Sequence, residues 1–175
     1  MSYLNLDKEK TSKTVFELNI LLADYHIYYQ KLRNFHWNIL GKNFFDLHEK
    51  FESMYNDAQK KIDEIAERIL TLRYQPLSNY SGYLKISDLK ESKSDITDVE
   101  MVKCLLKDHT LLINQLRNSA RAAENANDDG TADLIGGYIR DIEKTSWMLD
   151  AWRLNTSDTL SKPILKSQLE LSKTK

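Results

Sequence analysis

The sequence predicts an all-α fold, a four-helix bundle whose middle connection is a long crossover containing a short helix. Three observations carry this expectation. Apolar residues recur at three- and four-residue spacing over four long stretches; the two prolines, Pro76 and Pro163, both stand near places where that periodicity stops; and the connections run short, long, short. No β-rich region, internal repeat or low-complexity tract interrupts the pattern.

The first helix is expected from about Thr14 to Leu40. Thr14 and Glu17 have the spacing of a capping box, Val15, Leu18, Leu22, Tyr25, Tyr29 and Leu32 form an apolar stripe, and Gly41 supplies a stop. The second begins near Asn43, carries Phe44, Leu47, Phe51, Met54, Ile62, Ile65 and Ile69, and ends before Pro76. Thr97 and Glu100 cap the third, which continues through Leu105, His109 and Leu116 to about Asn127. The fourth runs from around Thr131 through Ile135, Tyr138, Ile142 and Leu149 to Trp152, with Gly136-Gly137 expected to permit a close helix approach. Short connections make the first and second helices, and the third and fourth, antiparallel hairpins. The stretch from about Leu77 to Ile96 is long enough to cross the bundle, and a short helix is expected over 84–89.

A chain of 175 residues with 41% hydrophobic content suits one domain, 1–175, with flexible terminal arms at 1–12 and 158–175. With 25 basic and 26 acidic side chains the net charge is -1, which gives no global electrostatic case for nucleic acid or anionic membrane as a partner. Cys104 stands alone in Val102-Lys103-Cys104-Leu105, which points to a packed thiol in a reducing compartment rather than a disulfide framework. The first residues lack a basic-then-apolar secretory pattern, and no apolar run is long enough to cross a bilayer. A cytoplasmic location without a membrane partner is therefore expected.

His36, His48, Asp63 and Glu67 are the candidate ligands, hard or borderline donors suited to iron. Asp63 and Glu67 are four apart and share one helix face. His48 lies fifteen positions before Asp63, roughly 22 Å away along a helix axis, so one subunit cannot gather the set. An antiparallel copy of the same helix across a two-fold axis removes the gap, and the turn at Gly41 returns His48 beside His36. The same spacing also fits helix-terminal or interface histidines with carboxylates on a solvated face. His26 and His109 are read as structural.

Phe35-His36-Trp37-Asn38 with Gly41, then Phe45-Asp46-Leu47-His48-Glu49, then Ile62-Asp63-Glu64-Ile65-Ala66-Glu67-Arg68, occur in order and at defined spacing. With them the chain resembles, over nearly its whole length, the Dps family of mini-ferritins, DNA-binding proteins from starved cells. The resemblance implies a ferritin-like four-helix bundle, a hollow homododecamer, and a dinuclear iron site at the two-fold dimer interface. It implies Fe(II) as substrate, hydrogen peroxide or dioxygen as oxidant, and storage of the ferric product, which limits oxidative damage to DNA. On that resemblance His36 is assigned as a terminal ligand, Glu67 as the leading bridge candidate, Asp63 as a second-site ligand and His48 as a terminal or weaker ligand. Glu52 matches a position that supplies a further carboxylate, and Trp37 one beside the oxidation centre.

Asp128, Asp129 and Asp133 mark the turn into the last helix, where acidic residues ordinarily cap. The resemblance adds a role lining three-fold pores, and Glu49, Glu52 and Glu64 could present an acidic face for mineral nucleation. Lys162, Lys166, Lys173 and Lys175, with Lys8, Lys10 and Lys13, offer only sparse phosphate contacts, so DNA binding is expected to be weak or conditional. The competing class is a non-catalytic cytoplasmic scaffold or DNA-packaging protein.

Overall fold

Residues 3–154 and Ser161 are described by the computed structural model, so most of the expected arm at 158–175 lies outside the described residues. Along them run α1 (Lys8–Asn38), α2 (Phe44–Thr71), the short α3 (Tyr80–Ile86), α4 (Asp98–Asn125) and α5 (Asp129–Arg153). Helix α1 packs against α2 and α4, α4 against α5, and α3 lies along α1. That is the expected bundle of two hairpins joined by a crossover.

Several boundaries differ from the expectation, each for a local reason. Helix α1 starts at Lys8 because the Asp7 side chain accepts from the Lys10 amide at 2.8 Å. Thr14 is therefore no cap; it is fully buried inside the helix. The expected arm at 1–12 is correspondingly reduced. Residues 8–12 are helix, the Tyr3 hydroxyl donates to the Thr71 carbonyl at 2.6 Å, and Leu4 and Leu6 pack against the core. Helix α3 begins four residues earlier than expected, since the Asn79 side chain caps it through the Gly82 amide at 2.8 Å. Helix α5 opens at Asp129 behind the Asp128 cap. The Thr97 and Glu100 capping box of α4 is present in full.

Burial follows the apolar stripes. Leu18, Leu22, Leu32 and Phe35 of α1 meet a core to which Phe51, Ile65 and Ile69 of α2, Leu105, Leu112 and Leu116 of α4, and Ile135 of α5 contribute. Each such side chain is at most 1% exposed, and full burial of one is worth about 1.5–3 kcal/mol. Cys104 is a free, half-buried thiol packed against this core. Among the described residues the buried polar side-chain atoms have hydrogen-bond partners except Asp24 Oδ2, and Lys31 Nζ lies 2.6 Å from Asp108 Oδ2 with both side chains almost fully buried. Gly136 and Gly137 do not admit a helix of the same chain, because a Cβ at either would meet only the Arg140 side chain, 3.7–3.9 Å away. Among the described residues no helix is long and apolar enough to cross a membrane.

Candidate metal centre

The turn between α1 and α2 brings two imidazoles face to face. Helix α1 ends at Asn38, Gly41 takes φ +101°, a left-handed conformation that favours glycine, and α2 begins at Phe44. His36 and His48 then stack with ring centroids 3.8 Å apart and planes 23° from parallel. Their hydrogen bonds are reciprocal. His36 Nδ1 lies 2.9 Å from the His48 carbonyl oxygen, and His48 Nδ1 lies 2.9 Å from the His36 carbonyl oxygen. A carbonyl only accepts, so each Nδ1 carries a proton, and a ring with no second proton presents its lone pair on Nε2. This is how metal-binding imidazoles are commonly fixed.

The surroundings hold that arrangement. Phe44 stacks on His48 at 4.8 Å, and Tyr55 meets His36 edge-on at 5.3 Å. The Tyr55 hydroxyl also donates to Glu52 Oε1 at 3.2 Å, tethering a carboxylate that stands one helical turn beyond His48. Neither Phe44 nor Tyr55 was among the candidate site residues. Their sequence signals were present, four residues before His48 and three after Glu52.

Asp63 and Glu67 stand further along α2, both exposed and four residues apart. Among the described residues no three His, Cys, Asp or Glu side chains gather closely enough within the chain to hold a metal ion. One end of the bundle thus carries His36, His48 and Glu52, and the carboxylates Asp63 and Glu67 are remote from it in the same chain. Trp37 is 58% exposed, with the Arg33 guanidinium 4.6 Å from its ring and 5.3 Å from that of Tyr29.

The other histidines are held inside the fold. His26 stacks on Tyr83 at 4.0 Å, and burial lowers its pKa. His109 is 1% exposed, and burial pushes it down to about 4. The acidic turn before α5 departs from the pore expectation at one position. Asp128 is 2% exposed, accepts from the Thr131 amide at 3.1 Å and is ion-paired to Arg68, so it is a cap and not a solvent-facing pore carboxylate. Asp129 and Asp133 remain exposed.

A Ferritin-like domain profile matches residues 16–157. An uncharacterized protein of Haemophilus influenzae is 46% identical over 151 residues, covering 85% of this chain and 92% of the relative. "DNA protection during starvation protein 2" of Bacillus anthracis is 40% identical over 142 residues, covering 81% and 97% respectively. Among solved structures, a Dps protein from Vibrio cholerae O1, described as a member of a broad superfamily of ferritin-like diiron-carboxylate proteins, superposes with TM-score 0.83 at 44% identity. That match covers 87% of this chain and 97% of the Vibrio chain.

Proposed function

Since the chain belongs to the Dps family of mini-ferritins, we propose that it is a ferroxidase and iron store whose oxidation sites are completed between two subunits. The observation that carries this reading is the reciprocal His36–His48 hydrogen bonding, which leaves both Nε2 atoms free as donors. Two imidazole nitrogens and several carboxylate oxygens suit ferrous iron and leave positions open for an oxidant.

The exposed face of α2 supports the second subunit's contribution. Phe45, His48, Glu52, Asp63, Glu67 and Leu70 follow a single helical stripe that includes Asn56 and Gln59, opposite the buried stripe of Leu47, Phe51, Met54, Ala58 and Ile65. These positions are symmetric about the point between Asp57 and Ala58. A two-fold axis there sets His48 opposite Glu67 of the partner subunit, Glu52 opposite the partner's Asp63, and Phe45 opposite the partner's Leu70. Phe45 is 77% and Leu70 55% exposed, apolar surface that such a contact would bury.

In this reading His36 and His48 bind ferrous iron through Nε2, Tyr55 orients Glu52, and the partner's Glu67 and Asp63 complete the site. Two ferrous ions supply two electrons to one hydrogen peroxide, and with two protons the products are two ferric ions and two waters. Dioxygen is the alternative oxidant. Twelve copies enclosing the ferric product complete the proposal, with Asp129 and Asp133 at the pores. Removing ferrous iron and peroxide together would protect DNA without coating it.

Anaerobic loading with ferrous iron followed by peroxide in a stopped-flow instrument tests the reading. Saturable binding and oxidation far faster than in buffer are expected. A well-assembled protein that neither binds iron nor speeds its oxidation would leave the scaffold reading in its place.

A further inference from the structure

The candidate metal centre leaves unused a buried row of phenols and one imidazole inside the bundle. Tyr28 of α1 and His109 of α4 are 5% and 1% exposed, and the Tyr28 hydroxyl lies 2.6 Å from His109 Nε2. The far side of the ring fixes the direction of that bond. Ser146 Oγ donates to the Ile142 carbonyl at 2.6 Å, so its proton is committed and it accepts from His109 Nδ1 at 2.7 Å. His109 therefore carries its proton on Nδ1, and Nε2 accepts from the Tyr28 O–H. Because burial holds its pKa down to about 4, the ring is a neutral base at pH 7.

The row continues edge to face. The Tyr25 ring lies 6.2 Å from Tyr28, and the Tyr138 ring of α5 lies 6.3 Å beyond Tyr25, both nearly fully buried. At its end the Tyr138 hydroxyl donates to Glu64, the neighbour of Asp63 in sequence, at 2.5 Å. A phenol radical cation is a very strong acid, so a phenol yields an electron readily only when a base receives its proton at the same moment. Tyr28 has such a base, the buried His109, within hydrogen-bond reach inside the core, whereas the acceptor of Tyr138, Glu64, is exposed to solvent. Packing alone would need neither the hydroxyl nor the imidazole.

We propose that Tyr28 is a buried one-electron donor, with His109 as its proton acceptor and Tyr25 and Tyr138 as the electron path to the turn of α2 that carries Asp63. For its oxidant this rests on the iron-oxidation reading. Where one ferrous ion reduces peroxide by a single electron, hydroxide and hydroxyl radical form. An electron from Tyr28 and a solvent proton turn that radical into water, while the phenolic proton moves to His109 Nε2 and leaves a neutral phenoxyl beside an imidazolium. A further ferrous ion returns the electron, becoming ferric, and the proton moves back. Burial meanwhile keeps the phenoxyl from coupling with a second one.

Two oxidants separate this proposal from the reading on which it rests. One is peroxide added to the ferrous-loaded assembly, with freeze-quench EPR. The other is photoexcited ruthenium tris-bipyridine with persulfate, applied to the iron-free assembly. Both should give a phenoxyl signal whose g-tensor reports a hydrogen bond from an imidazolium. Tyr28→Phe should lose most of that signal, and His109→Gln should keep the radical but lose the hydrogen-bond signature. Tyr25→Phe retains Tyr28 and its partner yet should delay the signal, and it decides the matter should Tyr28→Phe fail to assemble. A light-driven signal with these properties but no iron-driven one supports the donor and counts against the iron reading. An undiminished signal in folded Tyr28→Phe, or unaltered kinetics in Tyr25→Phe, overturns the proposal.

Discussion

Arg68 of α2 and Asp128, the cap of α5, are joined by an ion pair in which the Asp128 side chain is 2% and the Arg68 side chain 20% exposed. Arg68 Nε also donates to Thr131 Oγ1 at 2.8 Å, and a Cβ on Gly130 would stand 3.2 Å from Arg68 Nη2. One guanidinium thus ties the C-terminal part of α2 to the first turn of α5. The contact leaves room for glycine at position 130 and little more.

Asp128→Ala removes a helix cap and the partner of a mostly buried guanidinium, so it should cost about 2–3 kcal/mol after discounting for the solvent that reaches Arg68. Urea denaturation reads this loss. Adding Arg68→Ala should cost less than its effect in the native background, since the pair is coupled. A loss within experimental error would mean that the cap carries no stability.

Asp129→Asn with Asp133→Asn should leave the denaturation midpoint nearly unchanged, because both side chains are exposed. Iron uptake at limiting ferrous concentration should slow, most clearly at low ionic strength, where steering is strongest. Equal uptake rates at low salt would remove these two carboxylates from the pore role.

Asp24 and His109 should pull stability in opposite directions with pH. Burial raises the Asp24 carboxyl from 3.8 to about 6, against the lowering effect of the Ser87 and Asp88 hydrogen bonds, so the folded chain holds this proton more tightly than the unfolded one. Its contribution therefore falls as pH rises from about 4 to about 6. His109, pushed down from 6.5 to about 4, does the reverse: its contribution is complete above 6.5 and is lost as pH falls through 4. Relative to the native protein, Asp24→Asn should gain stability at pH 8 compared with pH 4.5, and His109→Gln should gain at pH 4.5 compared with pH 8. Urea midpoints at the two pH values check both signs, and parallel shifts would contradict them.

The N-terminal lysines Lys8, Lys10 and Lys13 lie on α1, so the remaining expected arm for DNA is the lysine-bearing segment 158–175. Deleting it should weaken any gel shift of the assembly and flatten its dependence on salt, since multivalent phosphate contacts would be lost. Binding of undiminished strength after the deletion would remove this segment as the contact.

Much of the bundle was legible because periodicity and caps are local. Thr97 and Glu100 announced α4, and the stripes of Leu18, Leu22, Phe51 and Ile65 announced the core. The start of α1 was missed because Thr14 and Glu17 imitate a capping box inside the helix, while the working cap is the single Asp7. At the candidate site, spacing pointed to His36 beside His48, but the tautomers came only from carbonyl positions in a tight turn. Asp128 looked like its neighbours in sequence. Its burial depends on Arg68, sixty residues away, which no local pattern reveals.

The central claim is that each oxidation site takes imidazoles from one subunit and carboxylates from another, and complementation tests it most directly. His36→Ala and Glu67→Ala chains, each expected to assemble but bind iron poorly, are unfolded together, refolded as an equal mixture and checked by mass spectrometry for co-assembly. In a mixed pair one site carries both substitutions and the other carries neither, so random pairing should restore about a quarter of the native sites in an anaerobic ferrous titration. No recovery in demonstrably mixed assemblies would contradict a site shared across the two-fold axis.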